Sequence, residues 1–231
     1  MSRLWPERVE ITLEPSALSY KRREGSRRIE VDPAHGPERW QGALEALKIE
    51  ARAWRRERLR VSVVASGALV RYLIVPAPES DPTLEEEEAL ARFHFARVHG
   101  ERSRGWEVRL AAIGTGPRLA CAIDRALLEE LKACFAPPLR ARLISVQPGL
   151  MAAYNNWRSH IPPEGAWLAL VETDHICLAL VADGGLRALH TAHGGGDWRG
   201  LFERERIRSA GISLPGAVLV NGMPEALPLA A

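Results

Sequence analysis

Cysteine is scarce in this chain, long apolar runs are missing, and neither sign of charge prevails. Cys121, Cys134 and Cys177 are the three cysteines among 231 residues. They stand far apart with no C-x-x-C pair, which excludes a disulfide framework and a cysteine zinc array of ordinary spacing. Each has aliphatic neighbours, so we expect small buried thiols in a reducing cytoplasm. Lysine and arginine number 31 against 29 acids, a formal net charge of +2. No global field then recruits nucleic acid or a membrane, and any basic partner surface must be local. No stretch approaches the roughly 20 apolar residues that span a bilayer, and the opening MSRLWPERVEITLEP meets proline and charge at once. The expectation is a soluble cytoplasmic chain that reaches a membrane through a partner or a surface patch.

What is present is a 46% hydrophobic composition, enough for a real core, and it is patterned. Val9, Ile11 and Leu13 alternate with Glu10 and Thr12, a Pro15-Ser16 turn follows, and RRIEV comes after Glu24-Gly25-Ser26. Period-two alternation around turn residues predicts three half-buried antiparallel strands. Trp40, Ala43, Leu44, Leu47, Ala51 and Trp54 fall on one stripe of a 3.6-residue repeat, which predicts a helix with both tryptophans facing the core. Asp81-Pro82-Thr83 before Glu85 to Glu88 predicts a helix start, with the acids matched to its positive end. That helix is expected to bury Leu84, Leu90, Phe93 and Val98. Pro148 is read as starting a further helix, and Pro162-Pro163 as a boundary.

The two halves begin alike. RVEITLEPSALSYKRREGSRRIEVD and AWLALVETDHICLALVADGGLRALHT each read strand, turn, strand, glycine turn, strand, and each precedes an amphipathic helix and another strand. A duplicated unit of this order is the core plan of the actin-like, ribonuclease-H-like fold, an α/β class with mixed sheets. The middle of the chain adds VRYLIVPAPESDPTLEEEEALARFHFARV, WEVRLAAI, RLACAIDRALLEELKACF and ISVQPGLMAAYN. In this order the segments resemble the PilM family of type IV pilus assembly proteins and the cytoplasmic domain of the type II secretion protein GspL. The resemblance implies an actin-like fold, residues 1–161 forming a first half with an inserted subdomain at about 68–123, and 162–231 a second half. It implies a non-catalytic scaffold at the inner membrane face, joined to the membrane through partners. Those partners would be an inner-membrane assembly protein with a PilN-like cytoplasmic tail and the assembly ATPase, with a homodimer also compatible.

Actin-like ATPases hold phosphate on a D-x-G turn between strands one and two of each half, where glycine admits the backbone amides and the acid organises Mg²⁺. Here LEPSALSYK has no glycine, and its proline removes a donor. ETDHICL carries Glu172 where the aspartate belongs, Asp174 where glycine belongs and Leu178 where a hydroxyl belongs. VLVNGMPEALP keeps Gly222 but has Asn221 for a second glycine. No cofactor is therefore expected. Were a nucleotide to bind, Glu172, Gly194, Gly195, Gly196 and Gly222 would be its residues, and the alternative reading is an ATPase or small kinase with divergent turns. The three glycines otherwise serve a sharp turn into an Asp197 cap. His190 and His193, three apart on a strand, should face opposite ways, so with His175 they make no metal site. Arg22, Arg23, Arg27 and Arg28, and the run from Arg52 to Arg60, are read as solvated or as contacts to anionic lipid or an acidic partner.

Overall fold

The computed structural model describes residues 5–34, 36, 38–76, 83–112, 116–194, 196–209 and 215–225. The chain runs β1 (Glu7–Leu13), β2 (Ala17–Arg22), β3 (Gly25–Glu30), α1 (Gln41–Ala53), β4 (Leu59–Ala65), β5 (Val70–Val75), α2 (Leu84–His99), β6 (Trp106–Ala112) and β7 (Arg118–Asp124). It continues through α3 (Arg125–Cys134), β8 (Arg142–Pro148), α4 (Gly149–Trp157), β9 (Ala166–Val171), β10 (His175–Ala182) and β11 (Gly185–His193). α5 (Trp198–Arg208), β12 (Val218–Val220) and β13 (Met223–Glu225) complete the order. Two compact units result, Met1–Val70 with Ile123–Gly149, and Arg71–Ala122 with Leu150–Ala231.

In the first unit, alternation does what it predicts. Val9, Ile11 and Leu13 are buried while Arg8 and Glu10 are exposed. Five strands lie in the order β3-β2-β1-β4-β8, with β1, β2 and β3 antiparallel and β1, β4 and β8 parallel. Leu44 and Leu47 of α1, and Leu127 and Leu131 of α3, pack in one core with Val9, Ile11, Val61 and Val63. Each such leucine contributes about 2 kcal/mol by leaving water. Trp40 and Trp54 cap α1 at its two ends and both are buried, Trp54 edge-on to Tyr20 at 5.0 Å.

The second unit holds a five-stranded sheet in the order β11-β10-β9-β12-β13 and a three-stranded sheet β5-β7-β6. β9, β10 and β11 form an antiparallel meander, and β12 returns parallel to β9, repeating the plan of β1 to β4. Where β4 is followed by a long crossover to the parallel strand β8, β12 turns directly into the antiparallel β13. All of β10 is buried, as expected of a strand covered on both faces. On one face Leu178 and Leu180 join Trp167, Trp198 and Phe202 in a core.

Several expectations are corrected. α2 begins at Leu84 with Thr83 as its cap, so no proline occupies its first turn, and Asp81 and Pro82 lie outside the described residues. Its buried face is Ala91 and Phe95, set against Val75, Val108, Ala120 and Ala122, whereas Leu84, Phe93 and Val98 are exposed and Leu90 is half-buried. The acid run does more than match the helix dipole, since Glu88 pairs with Arg109 of β6 at 3.1 Å and Glu87 with Arg118 of β7 at 3.2 Å. Pro148 ends β8 and Gly149 opens α4.

Candidate functional site

The first strand-strand turn is closed by its own backbone and side chains. The Glu14 N–H donates to the Ala17 carbonyl at 2.9 Å, and the Val31 N–H donates to the Ser16 carbonyl at 2.9 Å. β3 places Arg28 opposite Ser19, from where its guanidinium donates to both Glu14 oxygens, at 2.7 and 3.3 Å. Glu30 takes a further bond from Arg28 at 2.6 Å. These carboxylates hold the Arg28 guanidinium above its ordinary pKa. An acid forked by an arginine is a poor ligand for Mg²⁺, because the cation would have to displace a charge-assisted pair.

The second turn is tied in a different way. The Glu172 N–H donates to the His175 carbonyl at 2.8 Å, and the Gly194 N–H donates to the Asp174 carbonyl at 2.9 Å. The Glu172 carboxylate lies 3.8 Å from His175 Nδ1, and both side chains are largely buried. Behind them, Tyr72 of β5, Cys121 of β7 and Cys177 of β10 form a buried group. Burial first, and then the neighbouring Cys177 and Cys121, push the Tyr72 hydroxyl well above its usual range. Burial pushes the Cys121 thiol up to about 12, and burial followed by Glu172 and Cys121 raises Cys177. The Tyr72 oxygen accepts the Leu150 N–H at 3.3 Å. Glu172 thus lies among largely buried side chains, with His175 beside it and the Tyr72 hydroxyl and the Cys177 thiol within electrostatic reach.

Of the three glycines, Gly195 lies outside the described residues. Gly194 has φ +97°, a left-handed geometry that favours glycine. Two residues beyond Gly195, Asp197 caps α5, its carboxylate accepting the Gly200 N–H at 2.7 Å. This geometry fits a sharp turn into the cap.

The turn between β12 and β13 holds the features that sequence reasoning missed. Asn221, at φ +46°, donates from Nδ2 to the Val171 carbonyl at 3.0 Å and accepts the Val171 N–H on Oδ1 at 2.9 Å. Its own N–H donates to the Ala169 carbonyl at 2.9 Å. The amide therefore continues the β9 ladder as a surrogate peptide group. Gly222, at φ +84°, lies so close to the Trp157 indole that any Cβ would overlap it. The surface that a nucleotide base would need against Gly222 is covered by the chain's own α4. Gly222 and Trp157 are far apart in sequence, and Asn221 lies 50 residues from Val171, so neither contact leaves a local signal and both arise only when β9, β12 and α4 assemble.

His190 and His193 part as their spacing requires. His190 Nδ1 meets Glu205 of α5 at 3.3 Å, while the His193 ring stands 5.9 Å from that of His175 across the β10–β11 pair. Among the described residues no group of three His, Cys, Asp or Glu side chains converges on a metal position. The hairpin arginines are paired at long range, Arg22 with Glu7 and Glu57, Arg27 with Glu50 and Arg28 with Glu14. No helix among the described residues is long and apolar enough to cross a membrane.

No protein-family model matches the chain, and no curated protein matches it. Solved structures do match. A protein of actin-like ATPase fold and unknown function from Bacteroides thetaiotaomicron superposes with a TM-score of 0.61 at 15% identity, over 93% of this chain and 80% of that one. The cytoplasmic domain of EpsL, an inner membrane component of the type II secretion system of Vibrio cholerae, gives 0.58 at 16% identity over 95% and 84%. The PilM-PilN type IV pilus biogenesis complex gives 0.58 at 15% identity over 90% and 66%. The chain therefore has the actin-like fold, and its structural neighbours include the proteins its sequence resembles.

Proposed function

We propose that the chain is a non-catalytic cytoplasmic scaffold of a type IV pilus or type II secretion assembly platform. It would bind the cytoplasmic tail of a PilN-like inner-membrane protein, lie at the inner membrane face, and also engage the assembly ATPase or a second copy of itself. On this reading residues 1–161 are the first actin-like half with an insert at about 68–123, and 162–231 the second. The likeness in fold to EpsL and PilM supports it. The observation that carries it is the state of the nucleotide-facing turns. Glu14 is held by Arg28, Asn221 is spent on Val171, and Gly222 lies under Trp157.

Tail recognition would proceed by strand addition, which uses main-chain groups at an open edge and so leaves no side-chain signature. β3 and β8, β11 and β13, and β5 and β6 are the edge strands. Calorimetric titration with Mg-ATP tests the reading. The expected outcome is no heat of binding in the micromolar range. Micromolar binding that Glu172→Ala abolishes would establish the ATPase or kinase alternative instead.

A further inference from the structure

Of the arginine run between Arg52 and Arg60, the structure brings Arg58 and Arg60 together with arginines from elsewhere in the chain. β1 pairs with β4 so that Arg8 faces Arg60, and β4 pairs with β8 so that Arg60 faces Arg142. Val9 and Val61, the residues that follow, point into the core, and Leu143 packs against it. By alternation the three arginines leave the opposite face of the sheet as a row, on strands about 4.8 Å apart. All three are exposed.

The connecting loops extend the row. The Glu7 N–H donates to the Arg58 carbonyl at 3.1 Å, and the Arg140 N–H donates to the Arg55 carbonyl at 3.4 Å. The links before β4 and β8 are thereby drawn to the start of β1. A cavity of about 410 Å³ opens there, lined by Pro6, Arg58, Arg60, Arg140 and Arg142. The acids nearby are already committed, Glu7 and Glu57 to Arg22, while Glu10 stands opposite Lys21 in the β1–β2 ladder. Among the described residues Arg8, Arg58, Arg60, Arg140 and Arg142 form no ion pair.

Like charges on neighbouring strands repel, so the row costs stability until counter-charge arrives from outside. Trp5, the residue before Pro6, is 92% exposed. An exposed indole one residue along the chain from an arginine-lined cavity is a combination that suits a lipid interface. We propose that this end of the first unit binds an anionic membrane surface directly, the arginine row facing lipid phosphates and Trp5 entering the headgroup region. Guanidinium forks match phosphate oxygens in pairs. A row spread over three strands meets many headgroups at once, and a free indole gives an apolar anchor that an acidic peptide would not require. The inference does not rest on the scaffold reading, because it needs neither a partner tail nor an empty nucleotide site.

Sedimentation with vesicles tests it. The whole chain is expected to pellet with phosphatidylcholine vesicles containing phosphatidylglycerol and not with phosphatidylcholine alone, and to be released as salt rises. Joint replacement of Arg8, Arg60 and Arg142 by serine should lower the partition coefficient about a hundredfold, since each basic residue near such a surface supplies roughly fivefold. Arg97, Arg102 and Arg104 replaced by serine make the same charge change elsewhere and should leave binding intact. Trp5→Ala should weaken binding without altering its salt dependence. The row variant should melt no lower than the parent, because repulsion is relieved, and this separates lost binding from lost folding. Equal binding to both vesicle types, or binding retained by the row variant, would overturn the proposal. So would capture of polyglutamate in place of vesicles.

Discussion

Asn221 shows how one residue's role depends on its partners rather than its type. By position in the sequence it reads as a glycine lost from a nucleotide loop. In the structure its amide supplies both a donor and an acceptor to Val171. Nothing adjacent to it announces this, because the strand end it completes lies 50 residues earlier. Asn221→Ala should cost about 1–3 kcal/mol in urea unfolding, by leaving Val171 short of two bonds. Alanine also resists φ +46°, so Asn221→Gly separates the causes. Glycine relieves the backbone and still loses the amide, and it is expected to be destabilised as well. A glycine variant as stable as the parent would show that the conformation, not the amide, is what the site needs. The Arg28 fork on Glu14 was equally hidden, whereas the arginine row had a visible sign. Each of its strands has, within its first two residues, an arginine followed by an apolar residue, Arg8-Val9, Arg60-Val61 and Arg142-Leu143.

At the scale of elements, α1 was legible and α2 was not. The α1 stripe is continuous and every residue of it is buried, while Glu45, Lys48, Arg52 and the exposed Ile49 lie outside it. α2 carries Ala91, Phe95 and Val98 on one side and Phe93 on the opposite side, so it presents an aromatic ring each way. Phe93 and Phe95 stand two residues apart, about 200° around the helix, so only one can face a sheet. The choice falls to Phe95 because Ala91, one turn before it, lets the helix approach Val75 and Val108 closely. That selection belongs to the partner sheet and leaves little trace in the helix. The start of α2 is likewise set by a reciprocal box, Glu86 N–H to Thr83 Oγ1 at 3.3 Å and Thr83 N–H to Glu86 at 2.8 Å. Thr83→Ala should speed amide hydrogen exchange at Glu86 by on the order of fivefold, the usual effect of losing such a cap. Unchanged exchange there would mean that the box does not hold the helix end.

At the scale of the molecule, duplication was the most readable property. Turn residues and period-two alternation recur in both halves, and local chemistry alone specifies such meanders. The difference between halves, a crossover after β4 and a hairpin after β12, depends on pairing at a distance. The thiols report on both units at once. Cys134 lies in the core of the first unit, with its thiol pushed up to about 11 by burial. Cys121 and Cys177 lie in the second, and burial disfavours their thiolates still more. Only a thiolate attacks iodoacetamide, so at pH 8 all three should remain unlabelled in the native protein. With rising urea, labelling becomes possible as each unit opens. Cys121 and Cys177 are then expected to follow one urea dependence, since the same sheets must part to expose either. Mass spectrometry of labelled peptides reads each site separately. Native labelling of Cys177 at the rate of an unfolded thiol would mean that the second face of β10 is open, and that solvent reaches the side chains buried behind Glu172.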